Sequence, residues 1–328
     1  MSNAHDVAAF RRWLPMPALP SSRQRPASSP DQARERFAEL LAADDDIGEA
    51  TRAKLFEPEA EARATVVLWH GFTNAPSQFT LVAEALAARG FRVLLPRMPL
   101  HGRADVLNRD LAELTVAQLL DHADACMDIA AGFPEPIWVG GLSAGATLAA
   151  WVAANRPRAT RLVLAAPLIA PKATPMPLVR LFARSPQLLP NVYYWWDPRK
   201  KADLPGSPYA YPGFPTRGIL PFLQISEAMF DRSVVPGHRL ERVVLIANPG
   251  DFAIRRDVAE AFTEQVFFPV AETSGVANLD PELRWMHDFV DPNSPDTGTT
   301  EQVVAVFLAA FGAGRLDADG LIVPALER

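Results

Sequence analysis

Short apolar runs alternate with amphipathic stretches along much of this chain. Ala64 to Trp69, Phe91 to Leu95, Pro136 to Gly140, Arg161 to Ala165 and Arg242 to Ala247 are too short for ordinary helices. Their nearly continuous valine, leucine and isoleucine content is that of strands covered on both faces. Between them, Phe79 to Ala88 (closed by Gly90), Thr115 to Ala131, Thr147 to Ala154 and Arg255 to Val266 repeat apolar residues at helical spacing. A further strand is expected near Phe267 to Val270, then a long loop to Pro295 and a last helix from Thr300 to Phe311. Strands alternating with helices predict an α/β architecture, a mostly parallel central sheet flanked by helices.

The rhythm breaks twice. Residues 1–63 read as an N-terminal arm and a helix: the first thirty are rich in proline and serine, and Asp31 is placed to cap a helix running through Phe37, Leu40 and Leu41 to Asp44-Asp45-Asp46. The arm either wraps the core or hangs free, and the sequence leaves both open. The acidic triplet reads as a solvated turn. Residues 167–238 are dense in proline, with aromatics at Tyr193-Tyr194-Trp195-Trp196, Tyr209, Tyr211 and Phe214. They read as an inserted cap at the sheet end where binding loops gather. The core is thereby divided into 64–166 and 239–328. The cap aromatics fit a small satellite core and the lining of an apolar acyl pocket equally well. The run Arg199-Lys200-Lys201 reads as a solvated cap loop, and Leu223 to Phe230 as a helix ending at Asp231.

Composition narrows the function. The chain has 328 residues, 49% hydrophobic and 21% charged, ample for a sizeable core. A formal charge of -6 supplies no basic field for nucleic acid, so a neutral small molecule is the expected partner. One cysteine, Cys126, forms no internal disulfide, no apolar stretch is long enough for a stable membrane span, and the amino end lacks a signal peptide's apolar region. A cytoplasmic protein, monomer or homodimer, is expected.

Chemistry concentrates at Gly141-Leu142-Ser143-Ala144-Gly145, a G-x-S-x-G between a predicted strand and a predicted helix. Small residues on both sides of the serine permit the sharp turn that lifts a nucleophilic hydroxyl clear of a sheet. A serine needs a base to take its proton and a third group to orient that base. Asp251 follows the strand Arg242 to Ala247 by one turn, at the same sheet edge as Ser143. His287, in the loop after the last predicted strand, is the one histidine of six beyond it. Asp231 is the fallback acid, whereas Asp280 and Asp288 are distant from the Asp251 strand in order and pattern. The N–H of Ala144, next after the nucleophile, is one expected oxyanion donor, and that of Phe72, in Trp69-His70-Gly71-Phe72-Thr73-Asn74, the other. His70 and His101 read as structural. His122 and Cys126, four apart on one helix without a third ligand, read as packing.

With Leu68-Trp69-His70-Gly71-Phe72-Thr73, Leu95-Pro96-Arg97-Met98-Pro99-Leu100-His101-Gly102, the elbow, Asn248-Pro249-Gly250-Asp251 and His287-Asp288, the chain resembles the α/β-hydrolase superfamily over Ala64 to Phe311. Within it the resemblance is to carboxylesterases and monoacylglycerol lipases of the His-Gly-Phe type. It implies Ser143 as nucleophile, Asp251 as acid and His287 as base, with no cofactor or metal. Two departures stand out. Ala271 to Met286 is longer than the usual passage from last strand to histidine, and His70-Gly71-Phe72 lacks the glycine run associated with bulky tertiary-alcohol esters. The expected reaction is hydrolysis of a carboxylic ester with an apolar acyl or alcohol group through an acyl-enzyme. A thioesterase, an amidase or aminopeptidase, or a carbon–carbon hydrolase would use the same triad, since the cap sets substrate choice. A non-catalytic ligand-binding protein on this fold is the reading from another class.

Overall fold

The computed structural model describes residues 16–42, 47–197, 207–230, 234, 238–294 and 300–312. The residues Asp44-Asp45-Asp46, Arg199-Lys200-Lys201 and Asp231 lie outside these. Helix α1 (Pro30–Ala42) begins after an extended arm. Ser29 caps it, its hydroxyl accepting the Gln32 N–H at 3.2 Å; Asp31, the expected cap, sits instead in the first turn, where its charge favours the helix dipole.

The described part of the arm, from Met16, lies on the core. Ser22 Oγ donates to Asp124 Oδ1 at 2.6 Å, and the Arg23 and Arg25 N–H groups donate to the Asp124 and Asp128 carboxylates at 2.5 and 2.8 Å. These two aspartates are four apart on α3 (Val116–Ala130), and buried Arg156 bridges them. The buried carboxylates are thus paired and hydrogen-bonded, the condition for keeping charge inside.

Strands β2 (Thr65–Trp69), β3 (Arg92–Leu95), β4 (Ile137–Leu142), β5 (Ala159–Ala165), β8 (Leu240–Ala247) and β9 (Ala271–Asn278) run parallel, and β1 (Lys54–Phe56) pairs antiparallel with β3. Together they make a seven-stranded sheet in the order β1-β3-β2-β4-β5-β8-β9. Helix α2 (Thr80–Ala87) connects β2 to β3, and α3 connects β3 to β4 after a Thr115–Gln118 capping box. Every residue of β2, β3 and β4 is buried, Thr65 and Arg92 at two strand starts included, in keeping with their nearly continuous apolar runs. Helix α4 (Ala144–Asn155) joins β4 to β5 and is buried from Ala144 to Ala154, so its sequence shows no polar stripe.

Two strands of this sheet escaped the apolar pattern. β1 lies inside the stretch expected to be arm and helix; it is a three-residue, half-buried edge strand. β9 occupies residues expected to be loop, while Phe268–Val270, inside the expected strand, is a 3-10 turn. Pro269 brings no N–H to a ladder, whereas Glu272, Thr273 and Ser274 suit an edge strand with an exposed face. The passage from last strand to His287 therefore shrinks to residues 279–286.

Between β5 and β8 come α5 (Met176–Arg184), a hairpin of β6 (Tyr193–Trp195) and β7 (Gly213–Pro215), and α6 (Leu220–Phe230). Helix α6 starts three residues before the expected Leu223, with Pro221 tolerated in its first turn. Ala170, Val179, Ala183 and Leu223 form a satellite core, joined by a buried Arg184–Glu227 ion pair at 2.9 Å. The aromatics go elsewhere: Tyr211, Phe214 and Phe222 join the main core, and Tyr194 and Trp196 stay exposed. Helices α7 (Arg256–Val266) and α8 (Thr300–Phe311) complete the layers. Among the described residues no helix is long and apolar enough to cross a membrane.

Candidate active site

After β2 the chain moves to β3 on one side, then returns to β4 on the other. The loops leaving β2 and β4 therefore emerge side by side where the strand order reverses, the place where open α/β sheets bind ligands. The β2 loop is His70 to Asn74, and the β4 turn is Ser143.

Ser143 has φ 56° and ψ −117°, a conformation that non-glycine residues rarely adopt. Three hydrogen bonds hold it: its N–H donates to Ala165 O at 2.9 Å, and its carbonyl accepts the N–H groups of Thr147 and Leu168 at 3.1 and 3.0 Å. Helix α4 starts at the very next residue, three earlier than the apolar pattern suggested. Such a turn needs space. A Cβ on Gly141 would lie 2.6 Å from both Gly145 C and Trp69 O, which explains why small residues flank the serine.

His287 Nε2 lies 2.9 Å from Ser143 Oγ, and His287 Nδ1 lies 2.7 Å from Asp251 Oδ2. Asp251 is 3% exposed and sits after β8; its Oδ1 accepts the Ala253 and Ile254 N–H groups at 2.7 and 3.1 Å. Burial pushes this carboxyl up, but the His287 charge and hydrogen bond together with the two N–H donors outweigh it, leaving the carboxyl below its ordinary range. The structure thus joins three residues, from the ends of β4, β8 and β9, in one hydrogen-bonded chain. Asn248 fixes the last two loops to each other. Its Nδ2 donates to the Trp285 and Met286 carbonyls at 2.9 and 2.7 Å, and its Oδ1 accepts the Gly250 N–H at 2.9 Å.

The β2 loop is held from both sides. Towards the insert, Thr73, at φ 67°, accepts the Tyr211 N–H on its carbonyl at 2.7 Å and the Trp196 Nε1–H on its hydroxyl at 2.9 Å. Towards the histidine loop, the Gly71 N–H donates to Gln78 Oε1 at 2.7 Å, and Gln78 Nε2 donates to Asp288 Oδ1 at 2.9 Å. Asn74 Nδ2 donates to Asp288 Oδ2 and Asp291 Oδ2, both at 3.0 Å. Burial first and Asp291 second push the Asp288 carboxyl up to about 6. Phe72 packs edge-on against Phe214 and Phe222, with centroids 4.9 and 5.6 Å away, and Trp196 packs on Phe214 at 4.8 Å.

The other sequence candidates have different places. His70 Nε2 accepts the Met98 N–H at 3.1 Å, so its Nδ1 carries the proton donated to Gly71 O at 2.9 Å; burial, then His101, hold it neutral. His101 Nδ1 bonds Pro99 O at 2.8 Å, and burial lowers its pKa to about 4. His122 and Cys126 touch each other inside α3. Asp280 caps the turn Pro281–Leu283 by accepting the Glu282 N–H. Sequence reasoning passed over Gln78, Asn74 and Asp291, and nothing in a linear pattern ties residues 71–78 to 288–291.

Comparison with known proteins places this architecture. Residues 60–211 match the family described as serine aminopeptidase, S33, a stretch that contains Ser143 but ends before Asp251 and His287. No curated protein matches the chain. Among solved structures, a metagenome-derived lipolytic enzyme of the LipS and LipT pair superposes with a TM-score of 0.61 at 19% identity, over 81% of this chain and 99% of that one. Est1E from Butyrivibrio proteoclasticus, with ferulic acid bound, gives 0.53 at 18% identity over 80% and 95%. A monoacylglycerol lipase from Paleococcus ferrophilus gives 0.52 at 17% identity over 69% and 88%. Identities this low bear on the fold.

Proposed function

We propose that this chain is a serine hydrolase of the α/β-hydrolase superfamily that cleaves a carboxylic ester carrying an apolar acyl or alcohol group. The observation that carries the reading is the continuous chain Ser143 Oγ–His287 Nε2, His287 Nδ1–Asp251 Oδ2, at 2.9 and 2.7 Å on a strained elbow. Ser143 Oγ attacks the acyl carbonyl as His287 takes its proton, and Asp251 stabilises the imidazolium. The oxyanion is held by the N–H groups of Ala144, which as the first helical residue lies outside the α4 ladder, and of Phe72. Each such donor contributes about 10²- to 10³-fold in rate. His287 then protonates the departing alcohol, and the acyl-enzyme forms. Water, deprotonated by His287, releases the acid.

The apolar preference is supported by exposed Trp196, packed on buried Phe214, which in turn packs on Phe72 beside the oxyanion loop, and by exposed Phe252 and Met286, each adjacent in sequence to a triad residue. In this reading the segment between β5 and β8 is the cap that selects substrate.

The test is a fluorophosphonate probe on wild type, Ser143→Ala and His287→Ala, with p-nitrophenyl ester turnover across acyl lengths. Labelling is expected in the wild type and absent in the serine variant, with turnover lower by about 10⁵-fold or more. A folded wild type that neither labels nor turns over any ester would overturn the reading. The description of the matched family favours one alternative, an aminopeptidase using the same triad. Aminoacyl p-nitroanilides cleaved faster than the esters would select it.

A further inference from the structure

The polar groups on the histidine-loop side of the oxyanion loop form one relay of fixed direction. Gln78 Oε1 accepts from Gly71, so its Nε2 faces Asp288; Asn74 Oδ1 accepts the Ala75 N–H at 2.8 Å, so its two amide protons go to Asp288 and Asp291. The Asp291 N–H returns to Asp288 Oδ1 at 3.2 Å. Gln78, Asn74 and Asp291 are 2%, 3% and 0% exposed. Asp288 keeps some exposed surface, yet its carboxyl is flanked by both amides and by Asp291. Two carboxylates this close are costly to keep unless they do something for the fold or for the chemistry around them. Asp288 follows His287 directly, and Phe72 lies inside the loop that Gly71 and Asn74 bracket.

We propose that Gln78, Asn74, Asp288 and Asp291 are positioning residues that set the oxyanion loop from the loop bearing the base, so that the Phe72 N–H and His287 are placed by one shared network. The inference rests on the serine-hydrolase reading. It says which residues make the second oxyanion donor competent. Because the relay has a direction, it can be broken and rebuilt. Asp288→Asn turns an amide NH2 towards the Gln78 or the Asn74 NH2 group. Gln78→Glu sets a third carboxylate against Asp288. In the Gln78→Glu, Asp288→Asn double variant, the carboxylate introduced at position 78 accepts from Gly71 and from the new amide at position 288, whose oxygen accepts from Asn74. The net charge is unchanged, and the bond from the Asp291 N–H is given up.

The experiment measures ester kcat and KM, together with binding of a boronic acid whose tetrahedral adduct fills the oxyanion site, for wild type, both single variants and the double variant. Each single variant is expected to lose about 10- to 100-fold in kcat, with KM within about twofold and boronate affinity falling in parallel. The double variant is expected to recover to within about fivefold of wild type. Single variants with wild-type kcat, or a folded double variant as slow as the worse single, would overturn the proposal. If a single variant does not fold, the double variant decides alone, since a purely structural network would restore melting temperature without restoring kcat. Failure of the serine-hydrolase reading shows separately, as a wild type without Ser143-dependent turnover.

Discussion

Gly141→Ala adds one methyl group at the most crowded turn of the sheet, and its cost can be worked from distances. The new Cβ would lie 2.6 Å from Gly145 C, 2.6 Å from Trp69 O and 2.8 Å from Ala146 N. All three are backbone atoms, so no side chain can rotate away. Reaching ordinary contact requires displacements of about 0.7 to 1 Å. The atoms that move belong to the end of β2, which starts the loop proposed to hold the oxyanion, and to the first turn of α4. Overpacking of this kind costs about 1–3 kcal/mol, and with backbone on every side the upper end applies, a fall in melting temperature of roughly 5 °C. Misplacing the reacting groups by most of an ångström should lower kcat/KM by about 10²-fold. The control is the same chemical change at Gly275, on exposed β9, where a Cβ meets nothing within 4 Å. There alanine restricts the unfolded chain and should stabilise by about 0.4–1 kcal/mol, with activity unchanged. Thermal melts and ester kinetics on both variants decide the matter. A Gly141→Ala protein that melts with wild type and keeps its kcat/KM would refute the steric account of the elbow.

Other expectations follow from the same geometry. Asp251→Asn keeps an oxygen for the Ala253 and Ile254 N–H groups but turns an amide NH2 towards His287 Nδ1, favouring the wrong tautomer; kcat should fall by about 10⁴-fold with little change in melting temperature. Trp196→Phe removes the donor to Thr73 Oγ1 while keeping an aromatic ring against Phe214, and kcat should drop about three- to tenfold in steady-state assays; an unchanged kcat would mean that the Tyr211 bond alone holds Thr73. Burial lowers the pKa of His101 to about 4 and of His122 to about 3, and holds His70 well below its ordinary value. The unfolded chain binds these protons near pH 6.5 and the native state does not. The stability they contribute is complete above about pH 6.5 and is lost as pH falls through the window down to their native values, by up to about 4 kcal/mol per pH unit for the three together. Urea midpoints at pH 7, 6 and 5 should decline steeply, and His122→Gln should flatten the decline; level midpoints in the wild type would contradict the assignment of buried neutral imidazoles.

The sequence by itself determined the central sheet. β2 and β4 are covered along their whole length, and β5 and β8 from Leu162 and Val243 onward, so those stretches must be largely apolar, and such runs are visible without coordinates. It also marked Ser143, because the elbow is built from contiguous residues whose smallness is a local steric demand. The edge strands β1 and β9 were hidden, since their incomplete burial lets Lys54, Glu272 and Thr273 into a strand without penalty. The meeting of Asp251 and His287 with Ser143 was chosen from chain order; only the pairing of β8 with β9, and the Asn248 amide across their loops, sets the distances. The tertiary structure alone decided that Ser22, Arg23 and Arg25 of the proline-rich arm are held by Asp124 and Asp128, which Arg156 bridges, and that Tyr211, Phe214 and Phe222 of the insert join the main core while Tyr194 and Trp196 stay exposed. It alone joined Gln78 and Asn74 to Asp288. Local backbone sterics and burial periodicity are written into neighbouring residues, whereas a hydrogen bond between groups more than two hundred positions apart leaves no periodic trace in either segment and exists only once the sheet has brought their loops to one edge.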